Sequence, residues 1–66
     1  MSIPKWTGHV VGKMHNNKIT VAALAKKMDI NPKYVSSILN GNKKPKGARE
    51  RFEAAVEEII KERDSV

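Results

Sequence analysis

The sequence predicts an all-α protein, a small bundle of four helices over about residues 5–16, 20–28, 31–40 and 47–63. Three observations predict it. Apolar residues recur at three- and four-residue spacings in each stretch, as on a helix with one buried and one wet face. The breaks between the stretches carry residues that stop or start helices: Asn16-Asn17-Lys18, Asp29-Ile30-Asn31-Pro32, and Asn40 to Gly47. Finally, 66 residues suit one small domain, residues 1–66. Its helices are too short to stand alone and must pack on one another.

Residues 1–5 read as a loose N-terminal arm containing Pro4. The first helix, to about Asn16, puts Trp6, Val10, Val11 and Met14 on a shared face. Gly8 and Gly12 oppose it, since glycine in a helix interior costs roughly 1 kcal/mol against alanine. Trp6 reads as a core plug rather than a base-stacking platform. Ile19 leads into the second helix, with Thr20 as its N-cap and Val21, Leu24, Ala25 and Met28 as its apolar face. Pro32 lacks an N–H and pushes Asn31 out of the α region, so this helix ends before them. The same pair begins the next helix, Asn31 at the N-cap and Pro32 in the first position. Val35, Ile38 and Leu39 form its buried face, and Gly41 is the left-handed stop.

Asn42 to Gly47 is a basic loop, NKKPKG. The last helix, about Ala48 to Arg63, carries an apolar stripe of Ala48, Phe52, Ala55, Val56, Ile59 and Ile60. Glu50 and Glu53 near its start, and Lys61 and Arg63 near its end, suit the helix dipole. Arg49–Glu53 and Glu57–Lys61 are expected as pairs four residues apart. Neither Lys46 nor Gly47 is a good N-cap.

Charge is distributed unevenly. Residues 1–46 hold nine lysines and one acid, Asp29, a net +8. Residues 47–66 hold four basic and six acidic side chains, a net −2, which leaves +6 overall. A basic half is expected of a surface that faces a polyanion, although lysines also simply keep small proteins soluble. With no cysteine there is neither a disulfide scaffold nor a thiolate metal site. His9 and His15 lie about 120° apart around a helix and cannot share a ligand face, so no metal or cofactor is expected. No nucleophile–base pair, carboxylate pair or phosphate-binding glycine loop points to an enzyme. Apolar runs are far shorter than a membrane span, and Met1 to Gly12 contains Lys5 and His9 rather than a signal-peptide core. A cytoplasmic protein is the expectation.

Thr20 to Lys46, about two fifths of the chain, resembles the helix-turn-helix of the phage-repressor and Cro-type DNA-binding family. The matched features are Leu24-Ala25 in the first helix, Ile30 in the turn, Tyr34-Val35-Ser36 before Ile38, and Asn40-Gly41 followed by Lys43-Lys44-Pro45. The chain departs from the family at Asp29, where glycine is usual, and at Val21, often a polar phosphate contact. It also departs at Pro32, which offers a base edge only van der Waals contact. A basic residue near His15 often pairs with the last helix in that family.

The resemblance implies sequence-specific binding to double-stranded DNA and a regulator of transcription of repressor or Cro-like type, as in a phage or mobile element. Pro32, Lys33, Tyr34, Ser36 and Ser37 would then be the base-reading residues, with Lys33 and Ser37 in the reading positions. Lys33 can donate to guanine O6 or N7, and Pro32 and the Tyr34 ring can touch a thymine methyl. The Tyr34 hydroxyl can instead reach a phosphate, or the ring can pack half-buried under the motif. Thr20, Asn40, Asn42, Lys43, Lys44 and Lys46 are the phosphate-contact candidates, with Lys26 and Lys27 on the outer face of their helix. A homodimer through the C-terminal helix, by Val56, Ile60 and the tail to Val66, is one arrangement; a monomer with that helix capping the core is the other. The competing class is a small helical protein-interaction module, an adaptor, antirepressor or antitoxin, that docks an acidic protein.

Overall fold

The computed structural model describes residues 3–64. Four α-helices follow one another: α1 (Lys5–Asn16), α2 (Val21–Met28), α3 (Pro32–Leu39) and α4 (Ala48–Asp64). α2 packs on α3, α1 packs on α4, and the two layers meet where α2 touches α4 and α1 touches α3. Each helix end lies within a residue or so of its sequence expectation, because the residues that set it are chemically specific. The Thr20 hydroxyl accepts from the Ala23 N–H at 3.0 Å, and the Asn31 side chain accepts from the Lys33 N–H at 2.8 Å. Both caps satisfy a first-turn donor that the helix leaves without a partner.

The three interhelical turns close in the same way. Ile19 N–H donates to the Met14 carbonyl, Ile30 N–H to that of Ala25, and Asn42 N–H to that of Ser37, at 2.8, 3.0 and 2.9 Å. Each bond spans a left-handed residue: Lys18 at φ 55°, Asp29 at φ 58° and Gly41 at φ 82°. These are Schellman closures, which let the chain leave a helix without abandoning its last carbonyls. The first two use residues other than glycine in a region that L side chains rarely adopt. At Gly41 space adds to conformation, since a Cβ there would lie 3.3 Å from the Ile3 side chain. Ile3 and Pro4 thus rest on the start of the basic loop, and Lys5 is already helical. Residues 1 and 2 of the expected arm lie outside the described residues.

The core is the sum of the four apolar faces. Leu24, Val35, Phe52 and Val56 are essentially sealed from water, with Val10, Met14, Ile19, Ala25, Ile38 and Ala55 around them. Trp6 is half-buried and meets Phe52 edge-on, ring centroids 5.6 Å apart and planes at 79°. Val21, Met28 and Ile60 are also only partly buried. One expectation about α1 is corrected: Val11 is 46% exposed, and Thr7 takes the buried place beside Val10 and Met14. A helix turns about 100° per residue, so Val11 falls on the flank of the arc centred between Val10 and Met14. Thr7 can go inside because its hydroxyl donates to the Pro4 carbonyl at 2.7 Å, which removes the cost of an unmatched buried polar group.

α4 clasps the other helices with its charges. Glu57 accepts from Lys13 of α1, and Glu62 from Lys27 of α2. Arg63 donates to the carbonyls of Asn17 and Lys18 in the first turn. Arg49–Glu53 forms as expected at 3.4 Å. Glu57, expected to pair along its own helix with Lys61, also receives Lys13 from α1. On α1 it is Lys13, not His15, that meets the last helix.

Candidate nucleic-acid interface

α3 spans about 12 Å at 1.5 Å per residue. It buries Val35, Ile38 and Leu39 and turns the rest of its surface outward. At its N-terminal end Pro32, Lys33 and Tyr34 are exposed, Tyr34 by 38%. That leaves the Tyr34 side chain partly in solvent and partly covered. Ser36 and Ser37, the other two base-reading candidates, are only half-exposed. Their side chains are short, and the chain beyond Gly41 closes on the C-terminal end of the helix at the Ser37 carbonyl. Ser37 lies one turn beyond Lys33 on the same side, so a partner must approach closely before meeting its hydroxyl.

The basic loop is tied to α3. The Asn42 and Lys43 N–H groups both donate to the Ser37 carbonyl, at 2.9 and 3.2 Å. Asn40, Asn42, Lys43, Lys44 and Lys46 are all exposed. Thr20 is exposed at the start of α2, and its hydroxyl proton remains available to a partner beside the Ala23 cap. Among the described residues Lys33, Lys43, Lys44 and Lys46 have no carboxylate within ion-pair distance.

Lys27 behaves differently from these. It is half-buried against α4, and its ammonium is held above the ordinary lysine range, first by the hydrogen bond it donates to the Glu62 carboxylate. The expectation that Lys26 and Lys27 share an outer face therefore holds for exposed Lys26 and fails for Lys27. Lys27 lies about 100° around the helix from Lys26, which brings it closer to the buried face and within reach of α4.

One basic residue beside the loop escaped the sequence reading. Arg49 borders the same hollow as Trp6, Lys43, Lys44 and Pro45. Its position three residues after Lys46, at the start of a helix whose preceding Gly47 has no side chain to cap it, was the available signal. Elsewhere, Val56 and Ile60, the residues that suggested a dimer, are buried and half-buried respectively, and Val66 lies outside the described residues. His9 and His15 are exposed on α1, and no group of three metal-ligating side chains converges among the described residues. No described helix is long and apolar enough to cross a membrane.

Comparison of the chain with family models, curated proteins and solved structures gave no match in any of the three.

Proposed function

We infer that this protein binds double-stranded DNA in a sequence-specific manner and acts as a regulator of transcription. α2 and α3 serve as its helix-turn-helix. The observation that carries the reading is the company kept by the lysines. Among the described residues, those on α3 and the following loop have no carboxylate neighbour, whereas Lys13 and Lys27 are matched by the acids of α4. A cationic face beside an exposed, narrow helix end suits the major groove, which is about 12 Å wide. Lys33 donates to guanine O6 or N7, and Pro32 and Tyr34 lie against a thymine methyl. Ser36 and Ser37 supply the deeper contacts. Thr20, Asn40, Asn42, Lys43, Lys44 and Lys46 fix the register on phosphates without reading sequence.

A salt titration on duplex DNA tests this. Neutralising about four or five phosphates gives log K a slope near −4 against log salt, on any sequence, because bound counterions are released. A module built to dock an acidic protein shows no retention on duplex at low salt, and that result ends the DNA reading. Selection from random duplexes then supplies the site, and two-fold symmetry in the enriched sequences indicates a dimer on half-sites about 34 Å apart.

A further inference from the structure

Two of the three large apolar side chains exposed among the described residues, Ile3 (57%) and Val11 (46%), border one groove. It runs along α1 to the end of α3, with Pro4, Thr7, Gly8 and Leu39 completing its walls and Lys5 at its rim. Its floor is unusually low. A Cβ at Gly8, or one turn on at Gly12, would meet nothing within 4 Å, so the fold has no need of a missing side chain at either. Glycine weakens a helix relative to alanine, and its use here instead leaves room for a backbone approaching from outside.

The charge around the groove has one sign. α1 contains no acid, Lys5 lines the groove, and His15 stands one turn beyond Val11. The basic loop begins at Gly41, beneath Ile3. A second copy presenting this face would set Lys5 against its own kind with no carboxylate on α1 to meet it. Two exposed apolar side chains also fall far short of the roughly 800 Å² per partner that a stable interface covers. A nucleic acid, which is held through several phosphates at once, would find an apolar wall with Lys5 as the one lysine lining it. The complementary occupant is a short helix with apolar residues on one side and carboxylates flanking them, seated as an amphipathic helix in a groove.

We propose that the α1 groove of Ile3, Gly8 and Val11 docks an acidic amphipathic helix of a partner protein, beside the face that meets DNA and independently of it. The probe is a synthetic peptide of about four helical turns, leucines at i, i+3, i+4 and i+7 and glutamates elsewhere. Its control has lysine for every glutamate. Titrated into the 15N-labelled chain, the acidic peptide shifts the Gly8, Val11 and Gly12 amides saturably, and the lysine version does not. Val11→Asp weakens peptide binding at least about tenfold, and Ile3→Ser, outside the helices, weakens it in the same direction. Binding of Val11→Asp to duplex DNA stays at the parent level, which separates this site from the DNA reading. The proposal falls if the peptide shifts only α3 and the loop, or if both variants bind it as the parent does. It falls equally if the same amides shift with protein concentration alone, the mark of self-association.

Discussion

The α1–α4 layer and the α2–α3–loop layer both carry lysines, but they use them differently. In the first, Lys13 is met by Glu57, and α4 reaches across to take Lys27 as well. In the second, Lys33, Lys43, Lys44 and Lys46 project without a carboxylate neighbour among the described residues. A surface ion pair contributes little to stability, about 0–1 kcal/mol, so the acids of α4 matter more for where they cancel charge. They cancel Lys13 and Lys27 and reach none of the four lysines of α3 and the loop. Net charge alone does not show this; the pairing does.

The difference can be probed from both sides. The largest effect belongs to the scaffold: Phe52→Ala removes the ring that Trp6 and the α4 stripe pack upon and destabilises the fold by about 3–5 kcal/mol in chemical denaturation. DNA affinity in that variant falls only in step with the folded fraction. Next comes Lys33→Ala, which weakens the selected site by about 1–3 kcal/mol and leaves random duplex nearly untouched. Equal loss on both would reassign Lys33 to a phosphate.

Sharper still is a matched pair of lysines. Lys44→Ala weakens all duplexes alike and lowers the salt slope by about 1, whereas Lys27→Ala, already partnered by Glu62, leaves the slope where it was. If the two slopes move together, the division between cancelled and available lysines is wrong. The smallest effect is a gain. Asp29→Gly relieves a left-handed residue in the α2–α3 turn and raises stability by about 0.5–1 kcal/mol, read as a shift in the melting temperature. The gain is modest because glycine also gives the unfolded chain more freedom.

The helix limits were legible because Thr20, Asn31, Pro32 and Gly41 each admit few roles in a chain. The buried faces of α2, α3 and α4 followed from periodicity, as Leu24, Val35 and Phe52 illustrate. Val11 and Thr7 were exchanged because hydrophobicity ranks valine inside and cannot anticipate that Pro4 offers a carbonyl to the threonine hydroxyl. Of the candidate site, the exposed end of α3 and the loop lysines were readable from local order. The half-covering of Ser36 and Ser37, the capture of Lys27 by Glu62 and the nearness of Arg49 to the loop were not. Each depends on elements distant in the chain meeting at one place, and single-sequence spacing carries no record of that.

The hold of Arg63 on the Asn17 and Lys18 carbonyls has a practical side. Trypsin cutting after Lys61 would release that guanidinium, and the left-handed corner it braces directly precedes Thr20, the residue that starts α2. Digested or shortened protein should therefore exchange the Ile19 and Leu24 amide protons faster while most of the bundle stays protected. An affinity tag belongs beyond Arg63, not in place of it.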